Sequence, residues 1–520
     1  MHQTADHFRN IRPRSGENTI IPGIVLMAVT SLVTFCVVVA ATGGFESYKY
    51  IFLVPWIIGL AIVMATPSLY LWYKGRFNFA DPIVFATWSY FFPAFILGGF
   101  FFAFGWSQPY FIAYTQDIPY TLPLTIVLVA LGFGGLAFGY FLPVGKKIGE
   151  WIEHFLPRAN YEVSSYVGPG IVLLMLGIFN TILAFALGIL GFQKADQINS
   201  YDGLIYMTTL FWMEASFLLW NIIFRRPGFS VVNVVLLVLL ISTALSKALL
   251  AGNRGSALQV FTIVALAYLL SGRELRAKQV VSSGVVLTVL LIAGMIYGTT
   301  FRAVKGGEAT QGFDQYTQNI TRTFSEIGKS DSFEALQYGL ANMTERLDIL
   351  TTLSVVVSNY EQLAPYEEAY DLDNNIWKDM TVFLVPRVIW KEKPSSSDPR
   401  KYSDLYFNQS DTSFAITPIG DLLRNFGIPG IPIGMLVLGI CLRIIYRALV
   451  EFQPRTVWRS TMYFMLLTSV SYEAFYGTII PTFLKVGFVA LVGILLVNLL
   501  ANTKILPTRL KLSTIGRYRA

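Results

Sequence analysis

Charge is scarce in this chain. Only 14% of its 520 residues are Asp, Glu, Lys or Arg, against 54% hydrophobic residues, and the mean hydropathy is +0.55. Soluble domains carry about a quarter charged residues, so the composition excludes a water-soluble multidomain protein. Histidine is rarer still. His2, His7 and His154 all fall in segments that the charge pattern below assigns to the cytoplasm, which excludes a His-based triad or a His-ligated zinc on the opposite face. Cys36 and Cys441 both lie in apolar runs, where a thiol packs as a small hydrophobe and says nothing of the redox compartment. The chain also lacks a Gly-x-Gly-x-x-Gly or Walker loop, a His-Glu-x-x-His helix and a Gly-x-Ser-x-Gly elbow, so the usual sequence signatures of nucleotide-binding folds, zincins and serine hydrolases are missing.

Apolar sequence comes in runs long enough to span a bilayer. A spanning helix needs about 20 apolar residues, because lipid offers no partner for an unpaired backbone N–H or C=O. Such runs occur near 19–42, 50–72, 82–104, 121–144, 167–191, 203–224, 229–247, 256–271, 280–300, 428–447, 457–474 and 479–500, twelve in all. Basic residues before the first run and the small residues Ala40–Ala41 at its end also fit a cleaved signal peptide, but the run is longer than such a segment needs and reads as a retained span.

Positive segments resist translocation, so short-loop Lys and Arg report orientation. With the N-terminus inside, the cytoplasmic segments hold 22 of them, among them Lys74, Arg76, Lys146, Arg443 and Arg447, and the opposite short loops hold four: Lys49, Lys194, Lys247 and Arg254. The net charge of +7 is a topology signal rather than a nucleic-acid footprint. The expected organisation is spans one to nine over 1–300, a large external loop over 301–427, and three more spans with a cytoplasmic tail over 428–520.

A connection as long as 301–427 usually carries function. Within it Phe333, Leu336, Leu340, Met343, Leu347, Leu350 and Leu353 recur at helical spacing, which predicts an amphipathic helix. Residues 394–413 are rich in Ser, Asp, Asn and Tyr and read as an irregular loop or lid. Glu367-Glu368 and Asp371-x-Asp373 read as a solvated acidic turn rather than an oxygen-ligand metal site.

Cations gather at the external ends of spans and in the loop: Lys247, Arg254, Arg302, Arg387, Lys391, Lys393 and Arg424, beside the carboxylates Asp421 and Glu473. A charge near membrane depth is costly unless paired or facing a wet cavity. The alternative for each is a residue that marks where a helix leaves the lipid. Several arginines together are suited to a leaving diphosphate, because each planar fork donates in pairs and stays charged, with no metal needed. A carboxylate would then take the proton from a sugar hydroxyl. Lys485 lies inside the last span, where it would pair with a carboxylate or snorkel to the interface.

Three ordered stretches resemble the Wzy-type O-antigen or oligosaccharide repeat-unit polymerases. Lys247-Ala-Leu-Leu-Ala-Gly-Asn-Arg254-Gly-Ser is similar to that family's Gly-x-Arg-Gly turn. Val385-Pro-Arg387-Val-Ile-Trp-Lys391-Glu-Lys393-Pro394 is similar to its Pro-Arg-x-x-Trp-x-x-Lys-Pro element. Thr417-Pro-Ile-Gly-Asp421-Leu-Leu-Arg424-Asn425-Phe-Gly427 is similar to its Gly-Glu-x-x-x-Asn-Phe-Gly pattern, with Asp421 in place of Glu. The resemblance implies an all-α polytopic membrane protein of about 12 transmembrane helices, GT-C-like, with one large periplasmic loop, in a bacterial inner membrane with both termini cytoplasmic. It further implies a metal-independent, cofactor-free glycosyltransferase of polysaccharide biosynthesis that transfers a growing glycan from undecaprenyl diphosphate to a new lipid-linked repeat unit. A chain-length regulator protein is the expected partner. On this reading Arg254, Arg302, Arg387, Arg424, Lys247 and Lys393 hold the diphosphates, Arg254 and Arg387 stabilise the leaving group, and Asp421 or Glu473 is the base. The rivals are an O-antigen ligase, for which a loop histidine would be expected, and a lipid-linked oligosaccharide flippase, for which related halves and a charged central path would be expected.

Overall fold

A computed structural model of the chain describes residues 48–157, 163–190, 201–226, 231–251, 254–273, 277–306, 313–329, 344–383, 385, 389–390, 393, 397–410, 413–451 and 456–502. Among these residues the secondary structure is helix and turn, with no strand. Nine helices among them are long and apolar enough to cross a membrane, which makes this a polytopic membrane protein. They are α1 (Val54–Tyr73, continued back to Lys49 by a 3-10 turn), α2 (Pro82–Ala103), α3 (Ile118–Phe141), α5 (Val167–Ala186), α6 (Asp202–Arg225), α7 (Val231–Ala251), α9 (Ala277–Lys305), α14 (Thr417–Tyr446) and α16 (Tyr476–Asn502). Between them lie α4 (Pro143–Phe155), α8 (Arg254–Leu270), α10 (Phe313–Lys329), α11 (Ile349–Leu363), α12 (Asn375–Val382), α13 (Pro399–Phe407) and α15 (Val457–Ser469).

Most expected spans coincide with these helices, and the departures have local causes. The first run, 19–42, lies outside the described residues. The 457–474 run is helical only over the 13 residues of α15, about 20 Å of rise, because Val470 leaves the helical region at φ −79, ψ 110. The chain continues through Tyr472 and Phe475, both buried. Irregular backbone is tolerated at membrane depth only where protein covers it. The tenth span begins at Thr417 rather than at 428. Its first turns are polar, so hydropathy does not reveal them, and the helix carries across Gly427, whose φ of 65° kinks it just ahead of Pro429 and Pro432.

Helix ends follow the residues that cap them. Asp81 accepts from the N–H of Ile83 (3.1 Å), and Pro82 opens α2 at the first position. Pro93 deprives α2 of one N–H in the stretch Thr87–Leu97, which winds as a wide π-helix. Leu142 precedes Pro143, and the residue before proline is driven from helical to extended backbone. The chain therefore ends α3 at φ −60, ψ 138 and turns into α4.

The tightest crossing is α3 against α14. A Cβ at Gly139 would lie 2.1 Å from the Leu436 carbonyl oxygen, and one at Gly439 would lie 2.1 Å from that of Leu136. Backbone contact through small residues is what lets helices associate where lipid is as apolar as the side chains.

The elements between α10 and α14 sit on one end of the bundle. Asp348 accepts from Ser107 Oγ (2.9 Å), and the hydroxyls of Thr115 and Ser354 are 3.0 Å apart, so α11 is pinned to the α2–α3 connection. Residues 330–343 of the expected amphipathic helix lie outside the described residues. The remainder is interrupted at Asp348, whose side chain caps a new helix by accepting from the Thr351 N–H (3.1 Å). The 394–413 segment, expected to be irregular, contains α13. Asp398 accepts from the Arg400 N–H (2.9 Å) with Pro399 at the first position, a start signal the low apolar periodicity concealed. At the opposite end Arg225 donates to Ser460 (3.2 Å) and Leu270 (3.1 Å), and Arg447 to Glu150 (2.9 Å).

Candidate functional site

The first turns of α14 and α16 meet α12 around one carboxylate. Asp421 is fully buried. Its Oδ2 accepts from Asn375 Nδ2 (3.3 Å) and from the Gly477 backbone N–H (3.2 Å), and its Oδ1 accepts from Asn425 Nδ2 (3.3 Å). Asn425 also donates to Asn375 Oδ1 (2.8 Å), and Asn375 donates to Ser397 Oγ (3.1 Å). Ser397 in turn donates from its N–H (3.0 Å) and hydroxyl (2.7 Å) to Asp379, whose pKa burial raises above the ordinary carboxylate value despite those two bonds. Gly477 permits the approach, since a Cβ there would lie 2.8 Å from Ile376 Cα.

One turn along α14, Arg424 ties the same region together. Its Nε donates to Glu367 Oε1 (2.6 Å), its Nη2 to the Leu372 carbonyl (2.9 Å), and its Nη1 stands 3.7 Å from Asp421. Tyr406 donates to Glu367 (3.0 Å), and the guanidinium lies 5.9 and 5.8 Å from the ring centres of Tyr402 and Tyr406. The Arg424 side chain has no exposed surface. Burial holds both phenols far above their ordinary pKa, so both keep their protons and neither serves as a base.

The chain matches no protein-family model, no curated protein and no solved structure.

The other residues singled out by sequence fall in several places. Glu473 is exposed on the connection from α15 to α16, four residues before Gly477. Lys393 donates to the Val385 carbonyl (2.8 Å). Arg387 and Lys391 lie outside the described residues. Arg254 opens α8, with its side chain outside the described atoms. Lys247, near the end of α7, stands 3.4 Å from Gln259 Oε1 and 3.9 Å from the centre of the Trp212 ring. Arg302 is half-buried in the last turn of α9, within electrostatic reach of Arg346. Asp421 thus finds its partners on α12 and α16 and the adjoining Arg424 finds its own at Glu367, Leu372 and α13, whereas Lys247 keeps company with α6 and α8. Lys485 sits near Asp379, 5.8 Å from the Phe383 ring centre.

The acidic run divides among three cations. Glu367 takes Arg424, Asp371 takes Lys401, and Asp373 takes Lys378 (2.6 Å). Lys401 draws the Asp371 carboxyl below its ordinary pKa. Among the described residues no three His, Cys, Asp or Glu side chains are placed to hold a metal ion.

Asn375, Asp379 and Ser397 were not legible in the sequence, because single polar residues in a polar loop give no signal until the chain folds. Glu214 did leave one. It is a lone acid inside the apolar run of α6, fully buried, with both carboxylate oxygens lacking a hydrogen-bond partner, and it faces Gly493 of α16, where a Cβ would lie 2.1 Å from the carboxylate.

Proposed function

We propose that the protein joins lipid-linked oligosaccharide repeat units, carried on undecaprenyl diphosphate, into a surface polysaccharide by glycosyl transfer at the membrane face that carries residues 301–427. The observation that supports this reading most is convergence. Ser397, three residues past the stretch Val385–Pro394, is tied through Asn375 to Asp421 and Asn425 of the stretch Thr417–Gly427, so the chain shortly after one of the stretches on which the resemblance rests is held against another.

Roles follow from access. A general base must reach the proton it removes. Asp421 is sealed and Glu473 is exposed, so Glu473 is assigned as the base and Asp421 as the residue that positions the start of α16. Arg424 is committed to Glu367 and Leu372 and is assigned to hold the loop elements on the bundle. Arg254, Arg302, Arg387, Lys247 and Lys393 remain the cations proposed to hold diphosphate. The GT-C-like arrangement of about twelve spans, the periplasmic placement of the loop, the inner-membrane location with cytoplasmic termini, and the regulator partner belong to the same proposal.

A test uses the purified protein in proteoliposomes with lipid-linked repeat units extracted from a strain that lacks it. Wild type is expected to lengthen the glycan, and Glu473→Gln to bind the substrate without lengthening it. Full elongation by Glu473→Gln would remove Glu473 from the role of base.

A second reading, a lipid-linked oligosaccharide transporter, is favoured by one observation. Glu214 is a partnerless carboxylate at membrane depth, the kind of group that marks ion or substrate paths.

A further inference from the structure

A cavity of about 940 Å³ opens at the bundle end remote from α11–α13, between the C-terminal ends of α1, α3 and α14 and the start of α4. Five cations line it, Lys74, Arg76, Lys146, Arg443 and Arg447, against two carboxylates, Asp81 and Glu451. Arg443 is held by Glu451 (3.0 Å) and Arg447 by Glu150 (2.9 Å). That leaves a positive surplus on Lys74, Arg76 and Lys146. Lys74 lies 5.8 Å from the ring centres of Tyr70 and Tyr73, Lys146 makes a loose 3.9 Å pair with Glu150, and among the described residues neither Lys74 nor Arg76 has a carboxylate within 4 Å. The volume suits a small polar ligand or headgroup.

The cavity's place in the membrane is marked by α4. Gly145 and Gly149 press this helix onto Arg443 and Arg447 of α14 and its continuation, while Val144, Ile148, Trp151 and Phe155 line the opposite face with 50, 38, 63 and 72% of their surface uncovered. An apolar stripe left bare beside lysines describes a helix lying in the plane of the headgroups. The cavity wall continues into Tyr70, Leu71, Phe141 and Leu142. The last three are apolar, and Tyr70 and Phe141 are partly bare, a lining suited to acyl chains.

We infer that this cavity binds the phosphate headgroup of an anionic phospholipid from the adjoining leaflet, with Lys74, Arg76 and Lys146 receiving the phosphate and Tyr70, Leu71 and Phe141 receiving the top of the acyl chains. The inference is independent of the glycosyl-transfer proposal, since it uses none of the same residues.

The test is equilibrium binding of fluorescently tailed phosphatidylglycerol to the full chain in detergent, competed with phosphatidylcholine or inorganic phosphate. Each cation near an anionic headgroup is worth about a fivefold change in binding. The variant Lys74→Gln/Arg76→Gln/Lys146→Gln is therefore expected to bind the lipid about 100-fold more weakly, with an unchanged elution volume. Lys147→Gln, on the same helix but off the cavity lining, is expected to bind as wild type does. If the triple variant retains wild-type affinity, or phosphatidylcholine competes as well as phosphatidylglycerol, the inference fails. If millimolar inorganic phosphate displaces the lipid completely while phosphatidylglycerol shows no advantage over phosphate, the cavity is a soluble-anion site and the lipid assignment is overturned.

Discussion

Replacing Arg424 by Met tests how the loop elements are held on the bundle. The guanidinium has no exposed side-chain surface and Glu367 retains only 9%, so solvent screens neither charge. Arg424→Met keeps the bulk of the side chain and leaves two buried carboxylates, Glu367 and Asp421, without their cation. Breaking a buried pair by removing one partner costs about 3–5 kcal/mol, because the surviving charge is uncompensated. That corresponds to about two to four powers of ten in the equilibrium for opening α12 and α13. Trypsin reports it directly, since Lys378 and Arg400 lie on those helices and are cut faster when the helices open. The expected result is cleavage at these two sites accelerated by about 100-fold or more. Adding Glu367→Gln should recover much of the loss, because it removes one of the orphaned charges. Wild-type cleavage rates in Arg424→Met would refute the clamp, and a double variant no slower to cleave than the single would refute its electrostatic origin.

Two further outcomes follow from packing and from titration. Gly139→Leu should abolish the α3–α14 contact and the recovery of folded protein from the membrane, whereas Gly134→Leu, whose Cβ meets nothing within 4 Å, should elute from a sizing column as wild type does. Burial raises the Asp348 pKa from 3.8 to about 7. A carboxyl that binds its proton more tightly when folded stabilises the fold at low pH, and this contribution is lost as pH rises from about 4 through 7. The melting temperature of wild type should therefore decline across that window more steeply than that of Asp348→Asn, and parallel profiles would contradict the assignment.

The transmembrane framework was readable because a lipid-spanning helix writes itself as an apolar run, and charge asymmetry foretold the cationic end on which Lys74, Arg76, Arg443 and Arg447 gather. Where polar residues begin a helix the run misleads, as at Thr417–Arg424, and where a cap begins one the signal is a single pair, as at Asp398-Pro399. Arg424 illustrates a deeper limit. In the linear sequence it is a cation near a span end, suited to phosphate, and its partner Glu367 stands far upstream in what reads as a solvated acidic turn. Only the fold unites them. The leaf of structure under α4 was missed for a similar reason, because its amphipathic face adjoins an apolar run and was partly absorbed into it.

The proposed activity is tested most directly by the surface-glycan ladder of a strain deleted for this protein and complemented with wild type, Arg254→Ala or Arg387→Ala at equal expression. Glycosyl transfer between lipid-linked units predicts that the deletion leaves single-repeat glycan, that wild type restores the ladder, and that the arginine variants do not. A deletion that abolishes even the single repeat would contradict the proposal and favour the transporter reading that Glu214 supports.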